Sequence, residues 1–239
     1  MMEYILDKDL LSQNNDMVKA ISKKEYKRSL NDVPKRTLLE EIGNAVTHGV
    51  GTLAGIIMLT LMVKNSSGTF EFISALVYGI SIIIMMLMSC LYHSFGSKTK
   101  VKRLFRRFDY SSIYLLIGGT YAPILLLLVG GDLGLIVFIV QWLLIITGIT
   151  FVSVFGPGRL KFLHFSLYFV IGWGGALFTP LYNGNHNGLL FWILLGGLVY
   201  TFGMIPFFMK KSNCAHFIWH FFVLVGCILQ WIGIYLYLF

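Results

Sequence analysis

His216 and His220 stand four residues apart in "CAHFIWHFF", the stretch that opens the last apolar run of the chain. On a helix this spacing puts both imidazoles on one face, where they can hold a single cation, as paired helical histidines do in zinc proteases. A third nitrogen from His93 would complete a three-histidine site. Three protein ligands with an open fourth position is the arrangement of catalytic zinc, whose coordinated water titrates near neutral pH. Ser89 precedes His93 by four residues and is placed to hydrogen-bond the site or its substrate. Asp109 could hold the water and accept its proton.

These residues are set in a chain built for lipid. Of 239 residues, 56% are hydrophobic and 13% charged, outside the range of soluble globular domains. Apolar runs of about 20 residues, long enough to cross a hydrocarbon core of about 30 Å, recur near 43–63, 72–95, 109–129, 134–155, 162–181, 189–209 and 216–237. The breaks, among them "KNSSGTFE", "GGDLG" and "GPGRLK", are short, so consecutive helices should be antiparallel neighbours. This predicts an all-α integral membrane protein, a seven-transmembrane helix bundle formed by residues 41–239. Residues 1–40 read as a polar, basic cytoplasmic arm with no apolar run, which argues against a cleaved signal peptide. Cys90, Cys214 and Cys227 are scattered and form no disulfide framework.

Charge sets the expected orientation. With seven spans, 18 of the 19 Lys and Arg fall on one side and only Lys64 on the other. The positive-inside rule then gives a cytoplasmic amino terminus and an external carboxyl terminus in the cell membrane. These cations flank apolar spans, so topology and anionic headgroups explain the net charge of +8, and no nucleic acid is implied. In this topology His93, at the end of the second run, Asp109, at the start of the third, and His216 and His220, at the start of the seventh, share one depth. His48 joins them, and His186 falls in an external loop.

Each residue also has a plainer reading. A histidine near a helix end can sit at headgroup level among aromatic side chains, and His164, close behind Lys161, reads that way. Asp109 could be an interfacial partner of Arg106 or Arg107. Cys214 could replace a histidine as ligand, although it precedes the helix. Glu41, Asn44 and His48, spaced i, i+3, i+7 in "EEIGNAVTHGVG", share a face that could either support the metal or form an interhelical hydrogen-bond cluster. "KTKVKRLFRR" reads as a solvated loop facing the headgroups.

"EEIGNAVTHGVG", "SCLYHSF", "FDYSSIYLLIGGTYAPILL" and "HFIWHFF" resemble the successive signature stretches of the hemolysin III family, the bacterial branch of the progestin and adipoQ receptor superfamily. The resemblance covers nearly everything after residue 40. It implies seven membrane helices, a zinc ion held by His93, His216 and His220, and Asp109 close to the coordinated water. Because related adiponectin receptors and alkaline ceramidases are regarded as zinc-dependent hydrolases of lipid amides, it also implies hydrolysis of an amide or ester bond in a membrane lipid. In that mechanism Ser89 donates to the developing oxyanion. Two other classes stand beside it: a membrane-lysing hemolysin, and a non-enzymatic receptor or membrane-homeostasis protein with a structural zinc. The first needs an export signal that is not evident, and the second has little external loop surface for a protein partner.

Overall fold

The computed structural model describes residues 22–23, 25–26, 29–175, 187–209 and 214–239. Most of the arm before residue 40, His186, and the Lys210–Lys211 pair lie outside the described residues. From residue 38 onward, seven α-helices follow one another among the described residues: α1 (Leu38–Asn65), α2 (Thr69–Ser94), α3 (Lys100–Pro123), α4 (Gly131–Phe155), α5 (Lys161–Gly174), α6 (Asn187–Phe208) and α7 (Ala215–Leu238). No strand occurs among the described residues. All except α5 are long and apolar enough to cross a membrane. As described, α5 has 14 residues, roughly 21 Å of helix, and residues 176–186 beyond it are outside the description.

The starts of α1 and α3 depart furthest from the sequence reading, and the reason is capping. Thr37 accepts a hydrogen bond from the backbone N–H of Glu40 at 3.2 Å, so α1 begins at Leu38 rather than near residue 43. Thr99 does the same for Lys102 at 3.1 Å, and α3 starts at Lys100. The basic stretch read as a loop is therefore helix, and Asp109 lies well inside α3 instead of opening it. Lys and Arg are good helix formers, and two of these cations, Lys102 and Arg106, turn inward. At the other end of α3, Pro123 leads into a π-helical turn, Ile124–Val129. Gly130 and Gly131 then turn the chain into α4 with φ of 61° and 56°, a conformation that favours glycine.

Helices α2 and α3 form the middle of the bundle. Helix α1 packs on α2 and α7, α2 on α3, α6 on α7, and α4 and α5 on α3. Close approach of α1 to α2 depends on Gly51 and Gly55: a methyl group on Gly51 would lie 2.7 Å from Met86 Sδ, and one on Gly55 3.0 Å from Ile82. Large apolar side chains such as Leu53, Ile57, Val140, Leu143, Phe202 and Ile205 remain exposed on the outside. So much exposed apolar surface is what a bilayer covers.

Candidate metal centre

Helices α2 and α7 bring His93, His216 and His220 together. Their candidate ligand atoms all lie within 4.8 Å of one another. His216 Nε2 and His220 Nε2 are 3.1 Å apart. Two nitrogens at ordinary zinc distances on a tetrahedral ion are about 3.3 Å apart, so the pair already has the spacing that one cation requires. His93 and His220 are almost fully buried and His216 partly so. Their ring centroids are separated by 4.7 to 5.3 Å.

A third helix fixes the orientation of His93. Its Nδ1 lies 2.5 Å from Glu41 Oε2 on α1, and the amide of Asn44 approaches the same nitrogen at 3.3 Å. A carboxylate can only accept, so Nδ1 carries the proton and Nε2 keeps its lone pair. Nε2 is buried without a hydrogen-bond partner. A buried imidazole clamped at one nitrogen and unsatisfied at the other is how carboxylate–histidine pairs present a ligand to a metal. The donor set thus fits a divalent, imidazole-binding ion. His48 lies against His220 with ring centroids 3.9 Å apart, its Nε2 3.4 Å from the His220 carbonyl oxygen, and braces that histidine from α1.

Sequence reasoning missed Lys102. It is 1% exposed, and its Nζ donates to Glu41 Oε1 at 2.8 Å and to the Phe95 carbonyl at 3.0 Å. The ammonium also lies 5.1 Å from the centre of the Tyr92 ring, while the Tyr92 hydroxyl accepts from Arg36 at 3.2 Å. Lys102, Glu41 and His93 form a continuous chain across α3, α1 and α2. A signal was present: Lys102, Arg106 and Asp109 follow i, i+4, i+7 spacing, one face of a helix, once the segment is read as helix.

Asp109 and Ser89 face the site from α3 and α2, both lining the cavity beside His216 and His220. Asp109 lies outside the compact group of metal-ligating atoms. Nor is it an ion-pair partner of its basic neighbours among the described residues. Arg106 donates to the Asn31 and Asp32 carbonyls at 2.9 Å, and Arg107 to the Ser153 carbonyl at 2.9 Å. His164, expected at the interface, is instead fully buried in a separate cluster with its Nδ1 3.0 Å from the Tyr114 hydroxyl. Cys214 is exposed and outside the group.

His216 and His220, with His48 of α1, stand at one end of a cavity walled mainly by α2, α3, α5, α6 and α7. About 180 Å³ of it admits water-sized molecules, and Leu116, Ile117, Leu194 and Val223 are among its apolar walls. It reaches Gln230; from His216 to Gln230, α7 covers roughly 21 Å at about 1.5 Å per residue. Tyr121 donating to the Gly172 carbonyl, and Trp173 donating to Thr201 at 3.2 Å, tie α5 to its neighbours around this space.

A family profile described as Haemolysin-III related matches residues 36–231. The chain is 37% identical over 194 residues to a hemolysin-3 homolog of Bacillus subtilis, spanning 80% of this chain and 90% of that one. It is 39% identical over 203 residues to hemolysin-3 of Bacillus cereus, spanning 83% and 91%. Human monocyte to macrophage differentiation factor shares 28% identity over 212 residues, 86% of this chain and 87% of its own. The chain belongs to the haemolysin-III-related family and is a multi-pass protein of the cell membrane.

Proposed function

We propose that the protein is a zinc-dependent membrane hydrolase that cleaves an amide or ester bond of a lipid. It spans the bilayer seven times, with residues 41–239 forming the bundle and residues 1–40 a cytoplasmic arm. The amino terminus is cytoplasmic and the carboxyl terminus external, so the site opens toward the cytoplasm. The observation that carries this reading is the juxtaposition of three convergent imidazoles, one clamped by a carboxylate, with a long apolar cavity.

His93, His216 and His220 would hold the ion, with Glu41 keeping His93 in the tautomer that binds. Zinc bound in this way supplies a Lewis acid that makes water nucleophilic near neutral pH and polarises a carbonyl. The apolar walls bind the acyl chain and exclude bulk water. Asp109 takes the proton of the attacking water on its carboxylate and passes it to the leaving amine or alkoxide. The Ser89 hydroxyl can donate one hydrogen bond, and it keeps its proton while that bond goes to the charged Asp109 carboxylate. Once Asp109 is protonated, Ser89 is released to donate to the carbonyl oxygen as negative charge develops there.

Metal analysis of the purified protein, together with lipid hydrolysis before and after chelation, tests this reading. A metal-free protein with full activity would overturn it. The names of the Bacillus relatives favour a second reading, membrane lysis by the protein itself. The Asp109→Asn variant separates the two: lysis that persists without lipid hydrolysis belongs to the second.

A further inference from the structure

We infer that the site takes lipids whose polar end carries an anionic group of the phosphate type, bound in a basic vestibule next to the histidines. This vestibule, about 700 Å³, lies between the segment before α1 and the starts of α5 and α7. Its walls include four cations, Lys35, Arg36, Arg106 and Lys161, against two carboxylates, Asp32 and Glu40. It shares Tyr110, Phe207 and His216 with the apolar cavity, so the two spaces meet at the metal centre. A lipid with its chain toward Gln230 and its scissile bond beside His216 would therefore place its headgroup among these cations.

The placement of the charges supports a binding role over a purely topological one. Cations that only set orientation point outward to the headgroups around the rim. Arg106 is 7% exposed and Arg36 is turned onto the Tyr92 hydroxyl. Lys161 sits over three aromatic rings, Phe165, Phe207 and Phe208, at 5.3 to 5.5 Å, which holds its stem in place at the wall. The backbone contributes in the same sense. Helices α5 and α7 both begin at this wall, and neither has a side-chain cap on its first turn. Guanidinium and ammonium groups held around a preformed space recognise phosphate through short charge-assisted hydrogen bonds.

The inference deepens the proposed function by assigning the polar end of the substrate, and binding measurements separate the two. The full-length protein in neutral detergent micelles is titrated with a single-chain lipid bearing a phosphate monoester, and with the same chain bearing a hydroxyl in its place. The phosphate form should bind roughly tenfold tighter, the worth of one good charge-assisted contact. The preference should fall below about threefold in Lys35→Gln/Lys161→Gln, with affinity for the hydroxyl lipid unchanged. Lys98→Gln/Lys100→Gln, exposed cations away from the vestibule, should retain it. If the double vestibule variant does not fold, Lys35→Gln alone, at an exposed position, carries the same comparison. Inorganic phosphate is the second arm: millimolar phosphate that displaces the phosphate lipid but not the hydroxyl lipid identifies a site that also reads the free anion. No displacement assigns it to the lipid headgroup. Equal binding of the two lipids by the unmodified protein, or equal loss of preference in the Lys98/Lys100 control, would overturn the inference. Absence of hydrolysis of either lipid, with the binding preference intact, would instead count against the hydrolase.

Discussion

Glu41 Oε2 and His93 Nδ1 lie 2.5 Å apart, and this contact ties α1 to α2 at the depth of the metal centre. The other carboxylate oxygen of Glu41 receives the buried ammonium of Lys102 from α3. One side chain thus settles the tautomer of a metal-binding imidazole and neutralises a cation that would be costly to bury alone.

Two substitutions separate those tasks. Glu41→Gln still accepts from Nδ1–H but removes the negative charge, and zinc affinity should fall by roughly 10- to 100-fold, measured by competition with a chelator. Lys102→Met leaves the Glu41–His93 contact in place but strips the carboxylate of its cation. It should destabilise the fold by about 3 kcal/mol while lowering zinc affinity less than Glu41→Gln does. Equal zinc affinity in Glu41→Gln and the unmodified protein would remove the clamp from the account.

One zinc per chain is expected. It should be lost in His93→Ala and in the His216→Ala/His220→Ala double variant, and kept in His164→Ala and His186→Ala. His164 is a demanding control because it is as buried as the ligands but bonded to Tyr114. Because the ion would join α2 to α7, chelation should lower the melting temperature of the unmodified protein and leave that of the double variant unchanged.

Much of the bundle was legible because apolar runs report helices directly. The apolar length of the third run was plain, yet its first turns were hidden by charge. Composition marks Lys100–Arg107 as polar, and only the Thr99 cap and the i, i+4, i+7 face of Lys102, Arg106 and Asp109 show that it is helix with an inward side. Glu41 was read as a possible support for the metal, but its partner Lys102 could not be named, since a contact between residues 61 positions apart leaves no local pattern. His164 shows the converse: adjacency to Lys161 suggested the interface, while its true neighbour, Tyr114, is set by the packing of α5 on α3.

Orientation has its own test. A reporter fused after Phe239 should be external, and one inserted in the turn at Gly96–Ser97 cytoplasmic, as the 18-to-1 partition of Lys and Arg requires. A cytoplasmic reporter after Phe239 would remove one span, and α5 would be the first to doubt, because its described length is the shortest of the seven.

The cavity should limit chain length. A methyl group on Gly197 would meet Trp173 at 3.6 Å, an ordinary contact, so Gly197→Ala should leave activity unchanged. Gly197→Leu would extend into the cavity, and should raise KM for long-chain lipids by roughly tenfold while sparing short-chain ones, the loss of about two buried methylenes at about 0.8 kcal/mol each. A uniform effect on all chain lengths would place the acyl chain elsewhere.

Asp109 separates catalysis from structure. Asparagine is nearly isosteric and still pairs with Ser89 and water, but it cannot take up a proton. Asp109→Asn should therefore retain zinc and the melting temperature and lose hydrolysis by a factor of about 10² to 10⁴, the usual cost of removing a general base. If Asp109 closed the site as a fourth ligand, the same variant would lose zinc and stability together. Its position outside the ligating group argues against that. If Asp109 were only an interfacial partner of Arg106 or Arg107, the change would be worth about 0 to 1 kcal/mol and nothing in turnover. Arg106 Nη1 is instead turned to the Asn31 and Asp32 carbonyls and Arg107 Nη1 to the Ser153 carbonyl, and neither forms an ion pair with Asp109 among the described residues. Zinc content, melting temperature and lipid hydrolysis measured on this single variant discriminate among the three, and unchanged turnover in an active preparation would remove Asp109 from the mechanism.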